Sequence, residues 1–463
     1  MRCYTLAIAS LLILIVSSCK KESIITSADA LLHLSEDTLH FDTVFTSTGS
    51  TTQFFRIYNP NNQKLILSSV QLMGGSNSFF KMNIDGYSGT NLPNIEIAAN
   101  DSIYGFVTVS INPNSANLPF VVRDSIQINY NGNSRFLQLE AYGQNARFLR
   151  NATVTKDTTW TNTLPIVLLG VFTVNDGKTL TINKGTKVYL HADAPMLVNG
   201  TLKAIGEKYD STRISFQSDR IDSPYNNYPG AWPGIYFTQN SNNNIMQYCI
   251  IKNAYQGTIA QSPAASTKLT LNECILDNIY DIAIGGNNSS IAARNCLINN
   301  CGYNLYITSG GNYSFNHCTF VTIGNTYIDH KNSAVTLSNT NSSNQINPLA
   351  VTIQNSIIYG EGGLVDDEIT MAKNTSSAFN VLLTNILYKT KTDISANATI
   401  TNSIKNALPL FDSIDVGNRY FNFRLKATSP CIDKGIATGV ITDLDGNPRI
   451  VGNLPDLGCY EKQ

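Results

Sequence analysis

YCIIKNAYQG (residues 248–257), ECILDNIYDI (273–282), NCLINNCGYN (295–304) and HCTFVTIGNT (317–326) align on Cys249, Cys274, Cys296 and Cys318, spaced 25, 22 and 22 residues apart. Each copy is a short β-branched run with alternating sides, followed by Asn or Gly where the chain must turn. NSIIYGEGG from Asn355 and TNILYKTKT from Thr384 are two decayed copies. A unit of roughly 22 residues with strands this short cannot bury a face alone and must stack on its neighbours. No window keeps a 3.6-residue apolar period, which excludes helical repeats, and the leucine pattern of leucine-rich repeats is absent. The remaining solution is a parallel β-solenoid with two or three short strands per turn, stacked about 4.8 Å apart. The four cysteines then read as a buried column of small apolar thiols. Zinc would call for close C-x-x-C pairs, which the chain lacks.

Composition agrees with this architecture. The chain has 463 residues, 32 Lys+Arg against 33 Asp+Glu, and 14% charged residues. No basic excess is available for a phosphate backbone, which argues against a nucleic-acid partner. Length favours two to four domains, and 42% hydrophobic residues suffice for sizeable cores. Neutral polar residues replace charge: 54 Asn outnumber all the acids, and none lies in the first 50 residues. Asn tolerates left-handed backbone at solenoid corners, and stacked Asn amides can hydrogen-bond between turns.

The N-terminus, MRCYTLAIASLLILIVSSCKKES, has the basic, apolar and small-residue parts of a secretory signal over residues 1–18. Val16-Ser17-Ser18-Cys19 resembles a bacterial lipobox. That resemblance implies lipidation at Cys19, a membrane partner through the lipid anchor, and stable anchoring at about 0.8 kcal/mol per buried methylene. Lys20 stands where Asp would signal inner-membrane retention, so the resemblance implies an outer-membrane lipoprotein, on the periplasmic or the cell-surface side. Residues 19–30 read as a polar tether, and no later segment reaches the apolar length of a membrane span.

Residues 31–146 carry strand-like runs (TLHFDTV, TQFFRIYN, LILSSVQL, FKMNI, IEIAA, IYGFVTVSINP, DSIQINYN, FLQLEAYG) at regular spacing, the signature of a β-sandwich. Their order, with the strand ending Ile111-Asn112-Pro113, resembles Ig-like domains of the Hydin type, which implies a spacer or adhesive module. Within residues 150–427, the segment 177–216 (GKTLTINKGTKVYLHADAPMLVNGTLKAIGEKYDSTRISF) and Trp232-Pro233-Gly234-Ile235 resemble bacterial right-handed parallel β-helix proteins; the handedness is implied by that resemblance. Residues 428–463, TSPCIDKGIATGVITDLDGNPRIVGNLPDLGCYEKQ, resemble the choice-of-anchor Q segment through Ser429-Pro430, Ile432-Asp433, Gly435, Asp443-Leu444-Asp445-Gly446, Arg449, Asp456 and Gly458. This implies a C-terminal cap over the last open edge of the solenoid. Cys431 and Cys459 replace two positions that are commonly alanine there, which suggests a disulfide in an oxidising periplasm; two separately buried thiols are the alternative.

The β-helix fold hosts polysaccharide lyases and glycoside hydrolases, whose chemistry needs clustered carboxylates with a base, or two carboxylates set apart. Acids are scarce in these repeats, and no catalytic residue or cofactor is assigned. Asp366, Asp367 and Glu368, after Glu361, form the densest acidic group; they read as a solvated loop or a weak Ca2+ or sugar site. Asp443-Leu444-Asp445-Gly446 lacks the downstream Glu of an EF-hand loop and reads as a turn. His330, beside Asp329, reads as a loop histidine, and Arg294 and Lys252 have no acid assigned to them. Tyr303, Tyr306, Tyr313 and Tyr327 fall on successive turns, where a flat lateral face can stack on sugars or where rings can cover hydrophobic edges. Asp followed by Ser or Thr and then an apolar residue or Thr, at Asp37, Asp42, Asp101, Asp124, Asp157, Asp210 and Asp412, matches a periplasmic O-glycosylation sequon and supports export; strand-entry chemistry produces the same tripeptides.

The expectation is an all-β protein: an N-terminal Ig-like β-sandwich, a right-handed parallel β-helix and a C-terminal cap, on a lipid-anchored envelope protein. The expected role is non-catalytic binding or adhesion to glycans or another surface macromolecule. The alternatives are an extracellular polysaccharide lyase or glycoside hydrolase, and a structural envelope component.

Overall fold

The computed structural model describes residues 23–45, 52–111 and 120–463. The signal segment 1–18, Cys19, Lys20 and Asn112-Pro113 lie outside the described residues. The chain divides into two compact units, 1–145 and 146–463. No helix among the described residues is long and apolar enough to cross a membrane.

The second unit is a parallel β-solenoid. One side is an 11-stranded sheet, and a 17-stranded sheet supplies the rest of each coil. The coil around Cys274 shows how the sequence builds a turn. Leu269–Asn272 lies in the large sheet, a single left-handed residue, Glu273 (φ 53°), swings the chain, and Ile275–Asp277 enters the small sheet. Left-handed Asn278 (φ 55°) then turns it again. Tyr248, Asn295, His317, Asn355, Asn385 and Asn402 occupy the corner equivalent to Glu273, all at positive φ. Among the described residues, fifteen of the 25 non-glycine residues at positive φ are Asn, so left-handed corners account for part of the asparagine excess. The thiols of Cys249, Cys274, Cys296 and Cys318 are fully buried among Ile251, Leu276, Ile298 and Phe320 in one continuous core.

The small sheet is apolar on both faces. Thr319–Ile323 is buried at every position, the pattern of a strand covered on both sides. Its inner face packs into the solenoid core, and its outer face meets the C-terminal segment. Leu297, Val321, Ile357 and Leu387 form a separate core with Phe411, Phe423, Leu444, Leu457 and Cys459. The segment therefore does not cap the last edge of the solenoid, as expected from its resemblance. It runs along a side, with Arg213 donating to the Leu444 carbonyl (3.0 Å), Asn295 to Thr442 (2.8 Å), Asn355 to Ile436 (2.9 Å) and Asn385 to Lys434 (2.7 Å). The outward apolar residues of four successive coils dictate that placement, because they would otherwise face water. Thr399 and Thr401, in the last strand of the large sheet, stay exposed.

The first unit has two five-stranded sheets around one core of residues such as Phe55, Ile57, Leu67, Ile128 and Leu139. Residues 23–30 do not form a tether. Ile24 bridges to Lys64, Asn131 donates to the carbonyls of Ile25 and Ser27, and Ala30 is buried. Side-chain amides satisfy backbone acceptors that a tether would leave to water.

Candidate functional site

The most developed surface feature of the solenoid is a group of tyrosines organised by the corner asparagines. Between Ile214–Ser218 and Ile235–Phe237 the chain makes a long excursion, 219–234, that includes a single 3-10 turn, Tyr225–Asn227. Two corner residues one coil apart hold it. Asn253 donates to the Asn226 carbonyl (2.7 Å), and Asn278 to the Asn227 carbonyl (2.9 Å) and to the Asn253 side-chain oxygen (2.8 Å). Each bond contributes about 1 kcal/mol net, and a buried amide left without a partner costs more. Within the excursion Trp232 is buried, its indole donating to the Lys252 carbonyl (2.9 Å).

The excursion brings rings from distant parts of the sequence together. Tyr225 and Tyr228 meet edge-on, with centroids 5.5 Å apart, and Tyr228 lies 5.4 Å from Tyr327. Arg220 sits 3.8 Å over Tyr225, and Arg419 sits 4.3 Å over Tyr327. On the other side of the excursion Gly230, at φ 75°, passes so close that a Cβ there would touch Tyr280 at 3.4 Å and Tyr255 at 3.9 Å. Tyr255 and Tyr280, from adjacent coils, stack at 5.4 Å with planes 25° apart. Beside them Gln256 donates to Asp281 (2.8 Å). Tyr225, Tyr228, Tyr255 and Tyr280 are all exposed. The result is a patch of aromatic faces with polar and guanidinium groups between them. Such a surface stacks on planar or C–H-rich faces; it offers no nucleophile or metal-binding set.

Arg419 has a second neighbour. Asp277, at the end of its strand, is pushed up to about 6 by burial, against the pull of Lys252 and Arg419. This acid, one residue before the corner Asn278, is neutral in mild acid and charged at higher pH.

The residues singled out from sequence distribute unevenly. Tyr327 belongs to the patch, and Tyr303 and Tyr306 form a half-buried pair 5.0 Å apart. Tyr313 does not face solvent. Its ring fills the core, its hydroxyl donating to the Gly310 carbonyl (3.0 Å) and accepting from the Ser289 N–H (3.0 Å). Gly286 makes room for it, since a Cβ there would lie 2.5 Å from the ring. Tyr225, Tyr228, Tyr255 and Tyr280 were missed, although the aligned copies place Tyr255 and Tyr280 two residues after the corner Asn, in NAY and NIY.

Asp366, Asp367 and Glu368 are not brought together as a cation site. Asp366 is exposed beside Lys391, and Asp367 accepts from the hydroxyls of Thr390 and Thr392 and the N–H of Lys391 and Thr392. Those bonds hold the Asp367 carboxyl well below the usual carboxylate range. Glu368 and His330 both lie in irregular segments, so His330 is a loop histidine, but neither is solvated: the two side chains are fully buried against each other. No group of three or more His, Cys, Asp or Glu among the described residues could hold a metal ion. Arg294 finds its acid one coil back, Glu273 at 3.1 Å. Asp443 closes a turn by accepting from the N–H of Asp445 and Asn447.

Cys431 and Cys459 are both buried and both free, not joined in a disulfide. Burial pushes the Cys431 thiol up to about 12 and raises that of Cys459. Each serves as a small apolar residue in the core under the C-terminal segment.

No protein-family model matches the chain, and no curated protein matches it. Among solved structures it is similar to a family 123 glycoside hydrolase from Clostridium perfringens at 12% identity, over 27% of this chain and 26% of the hydrolase, with a TM-score of 0.19. The chain thus spans about a quarter of that enzyme's length. The Agl-KA catalytic domain aligns at 11% identity over 84% of this chain and 87% of its own, with a TM-score of 0.27. A PapD-like domain of human CEP192 aligns at 9% identity over 27% of this chain and 92% of its own, with a TM-score of 0.18. Likenesses this distant carry no weight for activity.

Proposed function

We propose that this is a lipid-anchored outer-membrane protein, on the periplasmic or cell-surface side, whose solenoid binds a glycan or another surface macromolecule without catalysis. In this reading the first unit is an Ig-like spacer, and the second is a right-handed parallel β-helix bearing a choice-of-anchor Q-type segment. The leader and the lipobox-like Val16-Ser17-Ser18-Cys19 support export and anchoring. The observation that carries the binding role is the exposed tyrosine patch held by the Asn253–Asn278 ladder. Rings fixed on a rigid scaffold lose little entropy on binding. Two depressions along the large sheet, one around Ser266, Ser290 and Asn312 and one around Thr352, Asn380 and Asn397, contain no carboxylate; nothing there favours a hydrolase or lyase.

The test is a glycan array probed with the purified protein and with a Tyr255→Ser/Tyr280→Ser variant, alongside an assay for released reducing ends. Binding that the variant loses, without release, supports the reading. Release of reducing ends, or binding indifferent to both substitutions, overturns it.

A further inference from the structure

A second aromatic surface lies on the first unit, on residues the solenoid reading does not use. Gln53–Asn59 pairs antiparallel with Asp101–Val109 so that Phe54 stands opposite Phe106 and Arg56 opposite Tyr104. Phe80–Ile84 flanks the other side, with Asn83 opposite Phe106 and Lys81 opposite Thr108. Strand alternation sends Phe55, Ile57, Met82 and Val107 into the core. It leaves Phe54, Tyr104 and Phe106 pointing outward, 56%, 39% and 42% exposed. Their rings are contiguous: Phe54 to Tyr104 is 6.0 Å, and Tyr104 to Phe106 is 6.1 Å with planes 14° apart.

Cations share this face. The Arg56 guanidinium lies 4.5 Å over the Tyr104 ring and contacts its hydroxyl. Neither Arg56 nor Lys81 pairs with a carboxylate among the described residues; the acids near this face are exposed Asp85, whose N–H donates to the Tyr104 carbonyl (2.9 Å), and exposed Asp101 at the start of the middle strand. The groove beside Phe54 and Arg56 is bordered by His40, Tyr58 and one carboxylate, Glu36. A contiguous exposed aromatic patch on a soluble domain marks a binding surface more often than an accident of composition. Two cations beside it without a carboxylate partner favour an anionic ligand over a neutral one.

We propose that this face binds an acidic glycan, a chain of sugars bearing carboxylates. The C–H faces of the sugar rings would lie on Phe54, Tyr104 and Phe106. The carboxylates would meet Arg56, whose planar fork suits them, and Lys81. An acidic protein segment fits less well, because a flat pleated face lacks the deep pocket in which protein interfaces seat their anchoring side chains. A neutral lipid surface would leave both cations unused. The inference is independent of the solenoid patch.

The experiment measures binding of the full-length protein to immobilised polygalacturonate and to its methyl ester. Binding to the free acid that weakens as salt rises, with little binding to the ester, is expected. Phe54→Ser/Phe106→Ser should lower affinity about tenfold or more, with thermal melting unchanged because both side chains lie outside the core. Arg56→Gln should retain residual binding but lose the preference for the free acid. Tyr255→Ser/Tyr280→Ser in the solenoid should leave this binding intact, which separates the two surfaces. Equal binding of acid and ester overturns the proposal, as does polygalacturonate binding unaffected in the Phe54/Phe106 variant. If that variant instead changes the oligomeric state or adsorption to neutral phosphatidylcholine vesicles, with polygalacturonate binding unaltered, the face belongs to a second copy or to a lipid surface.

Discussion

His330 and Glu368 face each other inside the solenoid, the imidazole Nε2 3.1 Å from a carboxylate oxygen, with both side chains fully buried. The other ring nitrogen lies 3.2 Å from the Glu361 carbonyl, the Ala334 N–H donates to Glu368 at 3.2 Å, and the Lys389 ammonium stands 4.0 Å away. Gly360 makes the space: a Cβ there would sit 2.4 Å from both the carboxylate oxygen and His330 Cε1. The pair joins segments 38 residues apart and fixes the irregular stretch between two repeat copies.

Removing one member of such a pair strands the other. His330→Ala should destabilise the second unit by about 3–5 kcal/mol, because Glu368 then loses its principal partner in a dry interior. Gly360→Ala should be destabilising as well, through the clash. Denaturant unfolding is the measurement. A loss below about 1 kcal/mol for His330→Ala would mean that the pair is hydrated and energetically like a surface contact.

Asn278 carries two separable loads, a left-handed corner at φ 55° and the hydrogen bonds that hold the tyrosine excursion. Asn278→Gly removes only the second and should cost about 1–2 kcal/mol. Asn278→Ala adds backbone strain of about 1 kcal/mol and should be worse. Both should free the excursion, seen as faster amide exchange around Tyr225–Asn227. Protection there equal to wild type would show that Asn253 and Trp232 suffice.

Much of the solenoid was legible because its cause is local. The spacing of Cys249, Cys274, Cys296 and Cys318 reports the coil length, and Asn253, Asn278 and Asn300 report the corners. What stayed hidden depends on which strand faces become covered. The run Thr319–Ile323 does not say that a segment 140 residues later will supply Leu457 and Cys459 as a roof. The same limit misplaced Tyr313, whose inward direction depends on the space left by Gly286. It also hid the His330–Glu368 pair, since nothing in either local sequence names the other. The tyrosine patch was half legible: Tyr255 and Tyr280 sit at a repeat position, whereas Tyr225 and Tyr228 reach them through an excursion without periodicity.

The described thiols should be chemically silent in the folded state. All seven are buried and free, which denies a reagent access to them; burial also raises those of Cys249, Cys296 and Cys301, whereas, against burial, hydrogen bonding with Cys249 and Cys296 lowers that of Cys274, whose inertness rests on inaccessibility. Iodoacetamide applied to the native protein should label none of them, and after unfolding without reductant it should label all seven. A peptide linking Cys431 to Cys459 in the unreduced digest would show instead that export closes a bridge between them.

Glu461 makes the C-terminal segment sensitive to pH. Its side chain is buried, accepts from the Asp456 N–H at 3.0 Å and lies 3.7 Å from Arg449, which is itself fully buried. Burial pushes the Glu461 carboxyl up to about 7, and Asp443 and Asp456 are raised for the same reason. An acid raised on folding binds its proton more tightly in the native state than in the unfolded one. Its contribution to stability is therefore complete below the unfolded value, about 4.3, and is lost as pH rises through about 7. The expected loss across that window is at most about 4 kcal/mol. Glu461→Gln, which keeps an acceptor for the Asp456 N–H without a titrating proton, should flatten the dependence between pH 5 and pH 8. Denaturation midpoints of the two proteins across that range decide the matter: curves that run parallel would place the pH dependence elsewhere, and convergence toward acid with divergence toward alkali would assign it to Glu461.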